Sequence, residues 1–342
     1  MTEKVLIGGY TRRIGQGIYQ GQFDAAAKAI TNIEPFINIE NASYLAISKQ
    51  QILYTVIKEG DQGGIAAFDL KTTTPTRLNA VLAAGAPPAY VAIDEKRQLV
   101  YAANYHKGEI LIYQIQADGR LSLASVTTHT GHGPRPEQAS AHVHYTDLTP
   151  DNRLAVCDLG TDELVTYDVS ADGLINKVAT YHSQPGFGTR HLVFHPTKPI
   201  AYLLGELASE ITVLDYHAQT GEFTAQGTYS MLPSDWQDAN GGAAIRISQD
   251  GRFLYASNRG YNSIVGYAID ETGHQLNVIQ QMSTDGEFPR DFNLTPDDAF
   301  VFAVNQNSDN GTLYQRDAQT GLLTACQKAL STPEAVCVLF EA

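Results

Sequence analysis

The chain has 342 residues, with 43% hydrophobic residues, enough for two average domains or one large repeat fold. Lys plus Arg is 23 and Asp plus Glu is 37, a net charge of −14, which argues against nucleic acid or an anionic membrane surface as partner. No stretch approaches the roughly 18 consecutive apolar residues of a membrane span.

The start, MTEKVLIGGYTRR, has a short apolar run and no cleavage-like site, so no signal peptide is expected. EKVLIGGYT, GIYQGQFD and AITNIEPFI follow one another as three strand-like runs. From there a unit recurs. Its second apolar run appears as ILYTVIKEG, LVYAANYHKG, RLAVCDLGTD, IAYLLGELAS, FLYASNRGYN and FVFAVNQNSD. Anchored at Tyr54, Tyr101, Ala155, Tyr202, Tyr255 and Phe302, the steps are 47, 54, 47, 53 and 47 residues. A polar turn precedes each anchor. A Val-, Ile- and Tyr-rich run of period two follows it, as in EILIYQI or ELVTYDV, the signature of a strand. A turn such as ADG, AQTG or ETG then leads to one more strand. Four short antiparallel strands in roughly 47 residues match a propeller blade.

Six units are complete, and the ends supply a seventh. PEAVCVLF near the C-terminus matches the first strand of a unit, and the three N-terminal runs match strands two to four. The pattern predicts an all-β, seven-bladed β-propeller occupying 1–342 as a single domain, its last blade closed by strands from both ends. Closure of that kind removes open sheet edges. Cys157, Cys326 and Cys337 show no metal or redox spacing and read as small core residues of a reduced, cytoplasmic protein. No cofactor or metal is expected, and the chain reads as a monomer or homodimer.

In such a meander the entry of a blade's first strand and the exit of its second lie at the same end. Arg190 and Glu206 stand 16 positions apart, as do Arg290 and Gln306. Aligning the units places Ser43, Ala89, His144, Arg190, Ala243, Arg290 and Glu334 at first-strand entries. Tyr10, Lys58, Tyr105, Leu159, Glu206, Arg259 and Gln306 fall at second-strand exits. The apolar positions are alike from unit to unit, whereas these positions differ, as expected of a scaffold that carries a site. The two long steps come from insertions, THTGHGPRPEQASAHVH and MLPSDWQDANGG, at that same end. They add Arg135, Gln138 and Trp236 as further candidates for substrate contact, beside Arg290, Lys58 and Gln306.

Each candidate has a structural alternative. His142 and His144 would share one side of a strand, suited to acid–base chemistry, to ordinary hydrogen bonding or, without a further His or Cys cluster to support it, to a metal. Arg190 and Glu206 would also satisfy one another as an ion pair. Arg259 would also cap a turn, and Arg290 would also pair with Asp291. Trp236 would be a lid or a loop anchor.

SAHVHYTDLTPDNRLAVCDLGTDEL, GTRHLVFHPTKPIAYLLGELASEITVL, LYASNRGYNSI and EFPRDFNLTPDDAFVFAVNQ resemble the lactonase family of seven-bladed propellers, over essentially the whole chain. The resemblance implies hydrolysis of 6-phospho-D-glucono-1,5-lactone, a small phosphorylated sugar lactone, in the oxidative pentose phosphate pathway; a metal-independent mechanism is the leading expectation. It also implies a catalytic His, two Arg and a Glu. By motif these are His142 or His144, Arg190, Glu206 and Arg259. A cycloisomerase or hydrolase acting on another acidic lactone, and a non-catalytic binding propeller, are the competing readings.

Overall fold

The computed structural model describes residues 2–341. In chain order the strands are β1 (Thr2–Gly9), β2 (Gly17–Asp24), β3 (Ala29–Asn38), β4 (Leu45–Ile47), β5 (Ile52–Glu59), β6 (Gln62–Asp69) and β7 (Thr76–Ala84). Next come β8 (Tyr90–Asp94), β9 (Leu99–Asn104), β10 (Glu109–Ile115), β11 (Leu121–Thr128), β12 (Val143–Leu148), β13 (Leu154–Asp158), β14 (Glu163–Val169) and β15 (Ile175–His182). The rest are β16 (Thr189–Phe194), β17 (Ile200–Gly205), β18 (Glu210–His217), β19 (Glu222–Ser230), β20 (Gly241–Ile247), β21 (Phe253–Arg259), β22 (Ser263–Ile269) and β23 (Leu276–Ser283). They end with β24 (Pro289–Leu294), β25 (Phe300–Asn305), β26 (Asn310–Arg316), β27 (Leu323–Ser331) and β28 (Ala335–Phe340). They form seven four-stranded sheets, the blades of a seven-bladed β-propeller. Six blades take four consecutive strands. The seventh has the order β28-β1-β2-β3, so strands from both ends of the chain close it as the repeat implies.

The chain falls into two compact units. The first comprises Met1–Asn38, His191–Asp215 and Ala225–Ala342, and holds the β28-β1-β2-β3, β20–β23 and β24–β27 blades. The second comprises Ile39–Arg190 and Tyr216–Thr224, and holds the β4–β7, β8–β11 and β12–β15 blades. Residues of the β16–β19 blade belong to both.

The second strand of each complete repeat is the most buried. Every residue of β9, β13, β17, β21 and β25 is buried. A strand flanked by sheets on both faces needs an unbroken apolar run, as LVYAAN and FVFAVN supply. The fourth strands, such as β11 and β19, mix buried and exposed positions. Cys157 and Cys337 are core residues as expected, but Cys326 is exposed because it lies on β27, one of these outer strands.

Three tyrosines of the repeat tie neighbouring blades, whereas Tyr101 donates to Asp94 of its own blade at 2.8 Å. Tyr54 donates from its hydroxyl to the Gly119 carbonyl at 3.0 Å in the second unit. In the first, Tyr202 donates to Gly273 at 2.9 Å and Tyr255 to Gly321 at 2.7 Å. Each acceptor is a turn glycine of the following blade. Gly321 has φ 72°, and a Cβ there would lie 2.2 Å from the Phe253 ring, so both backbone and packing demand glycine. Burial pushes the Tyr255 hydroxyl up to about 12, so it stays a donor. Where the anchor is Ala155, Thr166 Oγ1 takes over and donates to the Gly221 carbonyl at 2.8 Å.

Two outcomes follow for stability. Gly321→Ala should lower the melting temperature more than Tyr255→Phe does. The latter only strands a buried carbonyl, at about 1–3 kcal/mol, whereas the former forces both strain and a clash; the reverse order in thermal unfolding would refute this account. Deleting the chain from Pro333 onward should destabilise the whole protein, because β28 brings Val338 and Phe340 into the core cluster with Phe23 and Phe302. An unchanged melting temperature would contradict it.

Candidate functional site

Several first strands begin with a break in register. On β12, Val143 pairs with Asp158 and Tyr145 with Cys157, leaving His144 in a bulge. On β24, Pro289 pairs with Asn305 and Asp291 with Val304, leaving Arg290 in the same place. On β20, Gly242 pairs with Asn258 and Ile245 with Ala256, leaving Ala243 and Ala244. A bulge turns its extra residue away from strict alternation. Two candidate side chains, His144 and Arg290, are thus released from the sheet's two-residue rhythm. In the β4–β7 blade the backbone facing Lys58 belongs to Glu40 and not to the expected Ser43: Lys58 N–H donates to Glu40 O at 3.0 Å. β4 is only three residues long, so its entry shifts toward the preceding turn.

In the second unit the histidines gather on Tyr105. The His142 ring stacks on it, centroids 4.3 Å apart and planes 9° apart, while His144 meets its edge at 5.7 Å. His142 Nδ1 lies 2.8 Å from the Tyr105 carbonyl oxygen. That oxygen only accepts, so Nδ1 carries a proton and Nε2 is the ring nitrogen left for acid–base exchange. The His142 N–H donates to Asp158 Oδ1 at 2.7 Å, and Asp158 also takes the Gly160 and Thr161 N–H groups. His129 sits 2.9 Å from the other Asp158 oxygen.

Arg190 opens β16 and is 2% exposed. Burial pushes the Cys157 thiol well up; Asp158 adds to this and the charge of Arg190 opposes it. Lys58 is half-buried. Arg135 is exposed and lies against Gly186. Gln138 departs from expectation. It is fully buried, and its amide donates to Leu159 O at 2.8 Å and Asp162 Oδ1 at 2.7 Å while accepting from Arg135 N–H at 3.3 Å. It fastens the inserted loop and has no face for a substrate.

In the first unit Arg259 is the centre. It ends β21, is buried, and pairs with Glu206 Oε1 at 2.9 Å. It also donates to Gly242 O at 2.8 Å and Gly241 O at 3.4 Å, and lies over the Phe288 ring at 5.1 Å. The Gly242 N–H in turn donates to the Glu206 carbonyl at 2.9 Å. Arg259 therefore joins two blades and does more than cap its own turn. Burial draws its pKa below the ordinary arginine value; Glu206 opposes this and nearby Arg290 adds to it.

Arg290 does not use Asp291, whose carboxylate accepts from Arg246 and from the Val338 N–H, both at 2.9 Å. Instead its guanidinium lies 5.8 Å from the Tyr10 ring centre. Gln306 is half-buried; its N–H donates to Phe288 O and its side chain to Asn307. Trp236 packs on Tyr261 at 4.8 Å, as an anchor of its insertion. Among the described residues no three His, Cys, Asp or Glu side chains are grouped to hold a metal ion.

Sequence reasoning missed the β1–β2 loop. The Glu334 carboxylate accepts the N–H groups of Arg12, Arg13, Ile14 and Gly15 at 2.8–3.2 Å. A Cβ on Gly15 would lie 2.0 Å from Tyr10 O, so the wrap requires glycine there. Only the run TRRIGQG, polar and glycine-containing between two strands, marks this loop in the sequence. Burial works against the charged Glu334, but the four N–H groups outweigh it and hold the carboxyl below the usual glutamate range. A depressed pKa stabilises above the unfolded-state value and is lost as pH falls through the folded value. Glu334→Gln should therefore destabilise at neutral pH, and the gap to the parent should close as the medium becomes acidic below the ordinary glutamate pKa. A gap in urea midpoint that stays constant with pH would refute the role of the charge.

The family model described as "Lactonase, 7-bladed beta-propeller" matches residues 4–340. The chain is 37% identical to 6-phosphogluconolactonase of Bacillus subtilis, over 98% of this chain and 97% of that one. A solved structure of a protein from Lactobacillus plantarum is 52% identical, with a TM-score of 0.98 and all of both chains covered. The periplasmic gluconolactonase PpgL of Pseudomonas aeruginosa is 28% identical, with a TM-score of 0.94 over 100% of this chain and 99% of that one. On these matches the chain belongs to the lactonase family of seven-bladed β-propellers, as a lactone hydrolase.

Proposed function

We propose that the chain hydrolyses 6-phospho-D-glucono-1,5-lactone to 6-phosphogluconate, in the cytoplasm and within the oxidative pentose phosphate pathway. The observation that carries this reading is the Glu206–Arg259 pair with Arg290 beside it, a cationic cluster in a chain of net charge −14. The relative named for this activity, 37% identical over nearly the whole chain, supports the substrate.

The chemistry is addition of water to the lactone carbonyl, then loss of the ring oxygen. A base takes a proton from water as its oxygen bonds to carbon, and the ring oxygen leaves with a proton. Each unit offers a base. Glu206 is held in place by Arg259 at 2.9 Å. His142 is held by Tyr105 with Nε2 left for acid–base exchange; His144, edge-on to the same ring, is the alternative histidine. Buried Arg259 in the first unit, or buried Arg190 in the second, suits the negative charge that grows on the carbonyl oxygen, because a fixed cation out of water acts more strongly than one in it. Half-buried Lys58 is the cation available for substrate contact in the second unit.

Steady-state kinetics of the purified protein on 6-phosphogluconolactone test the reading. Hydrolysis should exceed the uncatalysed rate, and replacing the true base, by Glu206→Gln or His142→Gln, should lower kcat by about 100-fold or more with little change in KM. Turnover no faster than buffer would sink the proposal. Full kcat in both variants and in His144→Ala would dismiss all three bases. Faster turnover of plain gluconolactone would favour the activity for which PpgL is named.

A further inference from the structure

Most arginines of the chain are already matched to carboxylates. Arg13 pairs with Asp309 at 2.8 Å, Arg97 with Asp94 at 2.6 Å, Arg246 with Asp291 and Arg259 with Glu206. Arg12 and Arg290 are different. Among the described residues neither guanidinium has a carboxylate within ion-pair distance. Both lie over one aromatic ring, Tyr10, at 3.9 Å for Arg12 and 5.8 Å for Arg290. Two unneutralised cations on one ring repel one another. In a chain with 37 acidic residues against 23 basic ones, leaving them unmatched wastes an easy ion pair unless an anion arrives from outside.

The local build suits that guest. Arg12 stands in the loop wrapped on Glu334, its own N–H bonded to Glu334 Oε1 at 3.2 Å. Glu334 is thereby occupied with backbone donors and with Arg13 at 3.7 Å. The loop is fixed while the Arg12 head is exposed. A tyrosine face holds a guanidinium through its π-electrons and leaves the N–H fork at the rim free. Arg290 is brought to the same ring by the β24 bulge. Two such forks match a doubly charged phosphomonoester, whose three terminal oxygens accept in pairs.

From this geometry we infer that Arg12 and Arg290, with Tyr10 as their shelf, form the phosphate-recognition subsite, so that Arg12 decides specificity for phosphorylated over plain lactones. The inference rests on the lactonase reading of the neighbouring Glu206–Arg259 pair. The arginines then have separate roles, Arg259 at the reacting carbonyl and Arg12 with Arg290 at the distal phosphate. A contact made equally before and during the reaction moves KM, not kcat.

The test compares parent, Arg12→Ala, Arg12→Lys and Arg290→Ala on 6-phosphogluconolactone and glucono-1,5-lactone. Arg120→Ala, which removes an exposed arginine paired with Asp118, is the control. Arg12→Ala should lower the ratio of kcat/KM values, phosphorylated over plain, by about ten- to a hundredfold, through KM. Arg12→Lys should recover part of that loss, and the control should keep the parent ratio. Calorimetric titration of the same proteins with 6-phosphogluconate and gluconate gives a readout independent of turnover. The parent should prefer the phosphorylated acid, and Arg12→Ala should lose that preference. A parent that hydrolyses neither lactone overturns the proposed function, while the titration still decides the subsite. Equal losses on both substrates, or an unchanged binding preference in Arg12→Ala and Arg290→Ala, overturn the inference.

Discussion

The burial of each blade's second strand against the next blade is the constraint on which the rest depends. That strand has no wet face, so it must be apolar throughout, and any polar atom it carries must find a partner inside. The repeated tyrosine meets both demands. Its ring is buried, and its hydroxyl reaches a turn glycine of the following blade at Tyr54, Tyr202 and Tyr255 or a carboxylate of its own blade at Tyr101. The glycine is required because a side chain there would occupy the space of the packed neighbour. Where the tyrosine is replaced by Ala155, a threonine of the adjoining strand satisfies the next glycine. The bond is kept while its donor changes, which shows that the carbonyl, once buried, must be met.

A scaffold of that stiffness can carry irregularity at its strand ends. The bulges at His144 and Arg290 sit where the first strand of a blade begins. Each costs a local break in the ladder and returns a side chain freed from the sheet's alternation. Just before the same break in β20 stand Gly241 and Gly242, whose carbonyls take two of the Arg259 donors. Irregular backbone and functional side chain thus have one origin.

Charge is organised against the average of the chain. The carboxylates near the arginines of the first unit are few and committed: Glu206 to Arg259, Asp291 to Arg246, Glu334 to four backbone N–H groups. Their commitment leaves a small cationic region within an acidic molecule. A field of that form holds an anionic substrate locally, while the overall negative charge disfavours polyanions.

The repeat was legible in the sequence because period-two runs, turn glycines and a spacing near 47 residues are local signals. They determined the blade count and the closure by β28. The alignment of units also brought out Glu206, Arg259, Arg290 and His144, since they interrupt a pattern that is otherwise apolar and uniform. What the sequence could not decide were partners chosen across blades. Asp291 adjoins Arg290 in the chain yet serves Arg246, because the β24 bulge takes Arg290 out of the ladder that holds Asp291. Gln138 has the look of a free polar residue of an insertion, but the loop folds back and buries it. Nothing local singles out Arg12, because its meaning depends on Glu334, more than three hundred positions away, gathering the loop beneath it. Spacing along the chain records which strands form; which side chains are satisfied, and which are left waiting for a ligand, is set only when distant segments compete for the same hydrogen bonds.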